Sequence, residues 1–475
     1  MTDTRPILLA GELTAGSASR EIRSPWSGEI IGKAGVASGA QVVAAIDAAV
    51  RAAPEARRMP AHARSEVLLA IRAGIEARKD ELAQLLAEEA GKPIAAARAE
   101  VSRSLATFQD GAEEAKRIRG ELLPLDAVPA GAGRTGLVRR FPLAPISAIT
   151  PFNFPLNLAA HKLAPAIACG ASIVLKPPPQ DPLTSLVLAE IIAEAGYPRG
   201  AVSIVPCEVE DAAPLIEDPR VRMISFTGSA RVGWDIRSRA AGKKVALELG
   251  GNAAVIVEPD ADLELAVKRC VTGGFGYAGQ SCISVQRVLV HAAVAGRFSD
   301  LLVEQVSRLK AGDPLDEATD VGPMIDEANA RRAESWVEEA VSGGARIGTG
   351  GARRGAVVEA TVLLDTTRDM KVNREEVFAP VVAVRSYQSL PEAIAMVNDS
   401  QWGLQAGLFT NDVRSIMRAF EEIEVGGLII NDVPTWRVDP MPYGGVKMSG
   451  LGREGVRYAI EDMTEPRLLV LQSAG

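Results

Sequence analysis

From residue 146 onwards the chain alternates between short apolar runs and longer helical stretches, and this alternation restricts the folds that it can adopt. Strand-like runs occur at residues 146–150, 171–176, 202–206, 223–226, 253–257, 381–384 and 427–430. Residues 156–169 and 185–195, which lie between such runs, have helical periodicity. Short strands that alternate with helices are typical of βαβ units in a mostly parallel sheet. We therefore expect an α/β protein.

The first 145 residues are organised differently. Residues 40–118 carry apolar side chains three and four positions apart, which predicts several consecutive helices. Gly91-Lys92-Pro93 interrupts the pattern and predicts that one helix ends there and another begins. Prolines and glycines then break the helical pattern, and residues 137–141 begin a strand. Because 475 residues exceed one ordinary core, two or three domains are expected.

The composition excludes several classes of function. With 47% hydrophobic residues, 24% charged residues and a net charge of −8, the chain is typical of globular proteins and lacks a basic surface for nucleic acid or anionic membranes. No apolar run approaches the roughly 20 residues that span a bilayer. Residues 6–10 are too short for the core of a signal peptide. We expect a cytoplasmic protein with neither nucleic-acid nor membrane partners.

The cysteines point to one reactive position. Cys169, Cys207, Cys270 and Cys282 have no spacing typical of a metal site, so reduced thiols and no bound metal are predicted. The first three are expected to be small core residues. Cys282 differs, because a glycine-dense stretch precedes it and a β-branched run at residues 285–290 follows. Its thiol should lie at a loop-to-strand junction.

Glu248 is a carboxylate within an otherwise apolar run that Gly250 and Gly251 follow. Burial of a carboxylate in such a strand costs on the order of several kcal/mol unless the group is paired or neutralised, so it usually has a task. A thiol nucleophile and a base of raised pKa are the groups needed to form and hydrolyse a thioester. Cys282 and Glu248 are therefore the candidate nucleophile and base.

Six motifs occur along the chain in a recognisable order. They are Thr150-Pro151-Phe152-Asn153-Phe154-Pro155, Leu175-Lys176-Pro177, Phe226-Thr227-Gly228-Ser229, Leu247-Glu248-Leu249-Gly250-Gly251, Gly279-Gln280-Ser281-Cys282 and Glu375-Glu376-Val377-Phe378-Ala379-Pro380. Together they resemble the aldehyde dehydrogenase superfamily, from about residue 20 to the C-terminus. The sequence is most similar to the branch of lactaldehyde, non-phosphorylating glyceraldehyde-3-phosphate and semialdehyde dehydrogenases.

The resemblance implies an aldehyde dehydrogenase-like α/β fold in three parts. Residues 1–122 and 143–250 would form a Rossmann-type cofactor-binding domain, and residues 251–455 an α/β catalytic domain. Residues 123–142 and 456–475 would form a small β flap for oligomerisation. A homodimer or homotetramer is the assembly that this implies.

The resemblance also implies oxidation of a small aldehyde substrate to a carboxylic acid. Cys282 would attack the aldehyde, the Asn153 amide and the Cys282 backbone N–H would hold the oxyanion, and Glu248 would activate water for hydrolysis. For Asn153, a helix N-cap is the other interpretation. A CoA-acylating dehydrogenase is the nearest alternative function, although Glu248 argues against it because such relatives commonly lack the glutamate. A catalytically silent binding or structural member is the other alternative, which the intact motifs disfavour.

NAD or NADP is the implied cofactor. The expected contacts are Thr150, Pro151, Phe152, Lys176, Pro179, Phe226, Gly228, Ser229, Val232, Leu249, Glu376 and Phe378. Lys176, at a strand end, would hydrogen-bond ribose hydroxyls and is counted among the catalytic residues as well. Glu376 would bind the nicotinamide ribose, and Phe378 would pack beside the nicotinamide. The turn at residues 226–233 suits a pyrophosphate, although a plain strand–helix turn is the alternative.

The choice between NAD and NADP stays open. Pro179 stands where many NAD-selective relatives have a glutamate that binds the adenosine ribose. Without that carboxylate, nothing at this position repels a 2′-phosphate, so NADP is admissible. Glu208 and Glu210 lie after the next strand and would oppose the phosphate.

Three residues are candidates for the substrate tunnel. Asn157 and His161 are four apart on one helix and replace apolar residues of relatives that oxidise apolar aldehydes, so a polar aldehyde is predicted. A satisfied core histidine is the alternative for His161. Arg437 lies in a loop that lines the substrate entrance in the family, and a guanidinium suits an anionic group. A salt bridge from Arg437 to Asp432 or Asp439 is the alternative.

Overall fold

The computed structural model describes residues 3–472, which form two large sheets with helices around them. The helices are α1 (Gly39–Arg58), α2 (Ala61–Ala77), α3 (Lys79–Ala90), α4 (Ile94–Glu114), α5 (Pro155–Cys169), α6 (Leu183–Glu194), α7 (Ala213–Glu217), α8 (Ala230–Arg239), α9 (Leu263–Phe275), α10 (Ala295–Val306), α11 (Glu327–Ser342), α12 (Lys371–Arg374), α13 (Leu390–Asn398), α14 (Val413–Glu422) and α15 (Val456–Asp462). The strands are β1 (Thr4–Arg5), β2 (Ile7–Leu9), β3 (Glu12–Thr14), β4 (Ala18–Arg23), β5 (Ile30–Val36), β6 (Glu121–Pro124), β7 (Arg134–Pro142), β8 (Ile146–Ile149), β9 (Ile173–Lys176), β10 (Val202–Ile204), β11 (Met223–Thr227), β12 (Lys244–Glu248), β13 (Ala254–Val257), β14 (Arg287–His291), β15 (Arg346–Thr349), β16 (Arg353–Arg354), β17 (Val357–Val358), β18 (Thr361–Leu364), β19 (Val381–Tyr387), β20 (Trp402–Gly403), β21 (Gln405–Phe409), β22 (Gly427–Ile430), β23 (Val446–Lys447), β24 (Gly450–Leu451) and β25 (Thr464–Gln472).

Helices α1 to α4 confirm the helical pattern predicted for residues 40–118. α1 begins at a capping box, in which the Ser38 and Gln41 side chains each accept a hydrogen bond from the other residue's backbone N–H. Gly91 ends α3 with a φ of 67°, and Pro93 immediately precedes α4, as the stop-and-restart signal predicted. α4 packs on α2, α3 and α5, so it reaches the start of α5.

The first sheet has the strand order β24-β12-β11-β8-β9-β10-β2-β3, which confirms the first predicted βαβ series. β12, β11, β8, β9 and β10 run parallel, whereas β24, β2 and β3 pair antiparallel at the two edges. Ile149 pairs with Lys176, and Thr227 pairs with Glu248. The carboxyl ends of these strands therefore share one edge, where ligands bind in sheets of this kind.

Helix α5 packs in the apolar core around the first sheet, and all of its residues are buried. A helix that is apolar on all sides belongs to a core. Asn157, His161 and Lys162 are nevertheless part of it. Because a buried polar group costs free energy unless it is hydrogen-bonded, these three side chains need partners.

The second sheet has the order β15-β18-β19-β14-β13-β21-β22 and is parallel except for β15, which confirms the second predicted series. A separate apolar core of residues between 255 and 433 packs around it. β14 begins at Arg287, so Cys282 lies in the loop that precedes this central strand, as predicted.

The C-terminal segment returns to the first half before it reaches the flap. β24 pairs with β12, and Val456, Ile460 and Met463 are part of the apolar core that surrounds the first sheet. α15 packs on α4 and α5, although the boundary expected at residue 456 assigned this helix to the flap. β25 pairs antiparallel with β7 along its whole length, and β7 pairs with β6. The domain boundaries stay a prediction, and their residues 1–2 and 473–475 lie outside the described part of the chain.

Within residues 3–472, no helix is long and apolar enough to cross a membrane.

Candidate active site

A turn with left-handed backbone conformations immediately precedes Cys282 and positions it in the site. After α9, the 3-10 turn Gly276–Gly279 contains Tyr277 and Ala278 with φ of 49° and 51°. Gly279 follows with a φ of 67°, and a Cβ there would clash with the Ala379 carbonyl. The close approach of the Ala379 backbone therefore requires a glycine at this position. The thiol itself is partly buried.

The Asn153 side chain points towards this turn. Its Nδ2 donates to the Gln280 carbonyl at 3.1 Å, and its buried Oδ1 has no partner among the described residues. The residue at the N-cap of α5 is Phe154, and the Asn153 side chain makes no capping bond to this helix. The structure therefore contradicts the N-cap interpretation of Asn153. The amide lies beside the segment that carries Cys282, where an oxyanion donor would be needed.

A buried ion pair holds the segment around Asn153. The Lys92 ammonium pairs with Glu100 and donates to the Asn153 carbonyl at 2.8 Å. Glu100 Oε1 accepts from the Leu156 and Asn157 N–H groups at 3.0 and 3.1 Å, at the start of α5. The Lys92 and Glu100 side chains are both 0% exposed. This pair therefore links α4 and the connection that precedes it to the candidate oxyanion residue.

Glu248 ends β12, and neither of its carboxyl oxygens has a hydrogen-bond partner among residues 3–472. Burial raises its pKa well above the ordinary range, and the nearby Glu454 raises it further. Glu454 behaves in the opposite way. Burial opposes its ionisation, but Lys162, His161 and Arg437 outweigh burial and lower the pKa of Glu454 to about 2. Two neighbouring carboxyls whose pKa values are shifted in opposite directions suit different roles. Glu248 is an uncharged potential base, and Glu454 is a fixed anion.

Glu376 and Phe378 face the loop after β12. The Gly251 N–H donates to Glu376 Oε1 at 3.0 Å, and burial raises the pKa of this carboxyl to about 7. Phe378 adopts a φ of 50°, and its ring packs edge-on against Phe152 with a centroid distance of 6.0 Å. The structure thus brings Phe152 of the first motif together with Glu376 and Phe378 of the sixth motif, next to the loop that follows Glu248.

Lys176 lies at the end of β9, where burial lowers its pKa. Next to it, Arg20 of β4 donates to the Pro179 carbonyl at 3.2 Å and pairs with Glu208 at 2.5 Å. Arg20 lies outside the sequence motifs. Its guanidinium neutralises Glu208, the acid expected to oppose a 2′-phosphate.

The remaining expected cofactor contacts lie along the same edge. They lie at the ends of strands β8, β11 and β12, in the loops that follow these strands, or in the first turn of α8, and they are Thr150, Pro151, Phe226, Gly228, Ser229, Val232 and Leu249. The Gly228 N–H donates to the Glu248 carbonyl at 3.0 Å. The Ser229 side chain makes no capping bond to α8, and Val232 is 37% exposed on its first turn. The N-terminus of α8 can therefore bind an anion such as a pyrophosphate.

His161 and Arg437 belong to one buried polar cluster. His161 Nε2 lies 2.8 Å from Asp439 Oδ1, which also accepts from Arg103 at 2.8 Å. Burial lowers the pKa of His161 and opposes ionisation of Asp439, but His161 and Arg103 still hold the pKa of Asp439 below its usual range. The second ring nitrogen of His161 and the Nε atoms of both arginines have no partner among the described residues. The cluster can accept an anionic or hydroxyl group.

Arg437 pairs with neither of the expected aspartates. Asp432 pairs with Arg269 at 2.5 Å, and Asp439 pairs with His161 and Arg103. Arg437 instead donates to Glu454 at 3.2 Å, and its side chain is only 7% exposed. The fixed charge is therefore inside the site and not at its mouth.

Asn157 faces α4. Its Oδ1 accepts from Thr107 and Ser104 hydroxyls at 3.2 and 3.4 Å. The side chain is 2% exposed, so α4 already occupies its acceptor. The structure brings His161 and Arg437 together but holds Asn157 against the neighbouring helix.

Several residues of the site escaped the sequence motifs. Besides Arg20, they are Lys92, Glu100, Arg103, Lys162, Asp439, Tyr443 and Glu454. Lys162 donates to Ser225 at 3.0 Å and lies 3.6 Å from Glu454. A charged residue within the apolar pattern of α5 was the one sequence signal for Lys162. Arginine and acidic residues on distant segments gave no such signal.

Comparison with known proteins identifies close relatives. The profile described as the aldehyde dehydrogenase family matches residues 13–469. A 3-sulfolactaldehyde dehydrogenase of Priestia megaterium is 50% identical over 409 residues, 86% of each chain. Aldehyde dehydrogenase 21 of Physcomitrella patens, solved with its reaction product succinate, is 44% identical with a TM-score of 0.98, covering 100% of this chain and 99% of that one. Glyceraldehyde-3-phosphate dehydrogenase of Methanocaldococcus jannaschii, solved with NADP, is 40% identical with a TM-score of 0.93, covering 96% and 100%.

Proposed function

The chain belongs to the aldehyde dehydrogenase family, and from this we propose that it oxidises a small polar or anionic aldehyde to the free acid through a thioester on Cys282. It is an NAD(P)-dependent aldehyde dehydrogenase. The observation that carries the proposal is the convergence of the Cys282 thiol, the Asn153 amide and the Glu248 carboxyl, which has no hydrogen-bond partner within residues 3–472.

The residues at the carboxyl edge of the first sheet fit a nicotinamide dinucleotide. The Thr150 and Thr227 hydroxyls there are buried without a partner among the described residues. Lys176 would bind ribose hydroxyls, the N-terminus of α8 would bind the pyrophosphate, and Glu376 would bind the nicotinamide ribose. When bound, the nicotinamide supplies the hydride acceptor.

The chain's own residues would carry the remaining chemistry. The Cys282 thiolate attacks the carbonyl carbon, and the carbonyl electron pair moves to the oxygen, which the Asn153 amide and the Cys282 N–H stabilise. After hydride loss the thioester remains on Cys282. Glu248 then takes a proton from water as the water attacks, and the carbon–sulfur bond breaks to release the acid. A raised pKa makes Glu248 a stronger base than an ordinary glutamate.

The buried cluster of Arg437, His161 and Arg103 supports a polar or anionic substrate. Among the described residues, the Nε–H groups of both arginines have no partner and can donate to an anionic or hydroxyl group, whereas the free His161 Nδ1 can accept from a hydroxyl. The names of the relatives are consistent with this chemistry, because 3-sulfolactaldehyde and succinate both carry an anionic group away from the reacting carbon. A kinetic panel of anionic, hydroxylated and alkyl aldehydes tests the proposal. A preference for long alkyl aldehydes would contradict it.

Arg437→Leu is expected to lower the ratio of kcat/KM for an anionic aldehyde, such as succinic semialdehyde, to that for neutral lactaldehyde. A charge-assisted hydrogen bond contributes roughly 1.5–3 kcal/mol, so the ratio should fall about ten- to a hundredfold. Both substrates also lose activity, because Glu454 loses a buried partner. The ratio, measured by initial rates, isolates recognition of the anion.

Arg269→Leu is the matched control for Arg437→Leu. It breaks the ion pair between Arg269 and Asp432 but leaves the buried Arg437 guanidinium in place. The substrate ratio should stay unchanged in this variant. Equal losses for both aldehydes in Arg437→Leu would mean that Arg437 only holds Glu454.

Pro179→Glu is expected to shift cofactor preference towards NAD. The new carboxylate would repel a 2′-phosphate and accept a hydrogen bond from the ribose, and about 1.4 kcal/mol of discrimination changes the ratio tenfold. The measurement is kcat/KM with NAD and with NADP. Gln180→Glu adds the same charge at the neighbouring exposed position and should change the ratio less. Strong NAD selectivity without any substitution would show that Glu208 or Glu210 controls the pocket.

Apolar surface on the flap supports a homodimer or homotetramer. Leu468, Leu469, Val470 and Leu471 of β25 are 45–57% exposed, which is unusual for four consecutive apolar residues. We propose that a second copy covers them. Analytical ultracentrifugation tests the assembly, and a monomer at enzyme concentrations used in assays would contradict it. Four unpaired cysteines support a cytoplasmic location, which cell fractionation tests.

A further inference from the structure

Tyr443 contacts the candidate nucleophile directly. Its hydroxyl oxygen lies 3.0 Å from Cys282 Sγ. Among the described residues this is the one hydrogen bond that the hydroxyl makes. The side chain is 3% exposed and packs with Ile283 and Leu404 in a small apolar cluster against Cys282. The contact is therefore protected from competing water.

The backbone holds Tyr443 rigidly in this place. Its N–H donates to the Glu454 carbonyl at 3.0 Å, and the Glu454 N–H donates to the Tyr443 carbonyl at 2.6 Å. Gly444, the next residue, has a φ of 154°, and a Cβ there would lie 2.9 Å from Glu248 Oε1. The loop thus places the Tyr443 hydroxyl against the Cys282 thiol, and its backbone at Gly444 lies next to Glu248.

Arg437 lies over the face of the Tyr443 ring, with its guanidinium carbon 3.6 Å from the ring centroid. Its pairing with Glu454 at 3.2 Å keeps it there. A cation on the ring face withdraws electron density, which makes the hydroxyl a stronger hydrogen-bond donor. Burial meanwhile keeps the phenol protonated, because it raises the pKa of Tyr443 well above its ordinary value.

We propose that Tyr443 is a further catalytic residue, whose hydroxyl donates a hydrogen bond to Cys282 Sγ and stabilises the thiolate. Arg437 is a positioning residue that strengthens this donor through the ring. The inference rests on the proposed role of Cys282 as the nucleophile. Tyr443 keeps its proton throughout, and the proton of the Cys282 thiol leaves to solvent when the thiolate forms.

The hydrogen bond acts twice in the reaction. It stabilises the thiolate before attack, and it stabilises the same thiolate when the carbon–sulfur bond breaks during hydrolysis. The sulfur of the intervening thioester is a poor acceptor, so the bond is weak there. Because the hydrogen bond is stronger to the thiolate than to the thioester sulfur, it favours both the formation of the thiolate and its release during hydrolysis.

Tyr443→Phe tests the inference, because it removes only the hydroxyl. The readout is the rate at which iodoacetamide alkylates Cys282, measured against pH without aldehyde or cofactor by mass spectrometry of the Cys282 peptide. Burial raises the pKa of this thiol to about 12, and the Tyr443 hydrogen bond and the Arg437 charge both lower it. We expect the pH midpoint to rise by about one unit in Tyr443→Phe, with about tenfold slower alkylation at any pH below the midpoint.

Tyr197→Phe is the matched control. Its hydroxyl donates to the Ala171 carbonyl at 2.9 Å, beside helix α1 in the first half of the chain, and its loss should leave the midpoint unchanged. Arg437→Gln should raise the midpoint in the unmutated background and raise it less in Tyr443→Phe, because coupled residues are not additive. An unchanged or lower midpoint in Tyr443→Phe overturns the inference. Full turnover by Cys282→Ala would overturn the proposed function instead, and alkylation would still report on Tyr443.

Discussion

Glu248→Gln is expected to produce a burst of about one reduced cofactor per active site, followed by a steady-state rate about 10²–10⁴-fold below normal. The glutamine keeps the size of the side chain but cannot take a proton from water. Acylation of Cys282 and hydride transfer can then proceed once, and the thioester remains. Cys282→Ala should give neither burst nor turnover. Stopped-flow absorbance of the reduced cofactor measures both phases.

The pH dependence provides a second check on Glu248. Its carboxyl is uncharged below a pKa that burial has raised, so it can act as a base only in the fraction ionised. Steady-state turnover should therefore rise as the pH rises towards that pKa. The residual rate of Glu248→Gln should lack this rise. Glu264→Gln, an exposed substitution on α9, is the control and should behave as the unmutated enzyme. Normal turnover by Glu248→Gln would remove the glutamate from the mechanism.

Glu100→Gln is expected to lower the free energy of unfolding by about 3–5 kcal/mol, because it leaves Lys92 without its partner in the interior. Burial already lowers the pKa of Lys92, and the Glu100 charge counters this. The ammonium also donates to the Asn153 carbonyl, so the start of α5 should loosen and activity should fall with stability. Urea unfolding followed by tryptophan fluorescence gives the change in midpoint.

Glu317→Gln is the matched control for Glu100→Gln. Glu317 pairs with Arg98, which lies on the same helix as Glu100, but the two side chains are 64% and 54% exposed. A surface pair contributes about 0–1 kcal/mol, so its loss should hardly move the midpoint. Similar shifts in the two variants would mean that burial of the Lys92–Glu100 pair adds nothing to stability.

The sequence predicted the helices and strands whose own residues carry a clear periodic pattern of apolar side chains. The two βαβ series and the helices of residues 40–118 follow from apolar spacing, which depends on the element's own geometry. The expected boundary at residue 456 grouped α15 with the flap, whereas the helix packs on α4 and α5, more than 280 residues earlier in the chain. No local pattern carries that information.

The sequence by itself determined the family and the α/β class, and it predicted Cys282, Asn153 and Glu248 as site residues, because glycine turns and isolated polar groups within apolar strands are local signals. Only the tertiary structure decided which charges meet. Arg437 pairs with Glu454 and stacks on Tyr443, although two aspartates lie nearer in sequence. Burial and distance between remote segments set the strength of each ion pair and each pKa, and both arise only when the two sheets and α5 pack together.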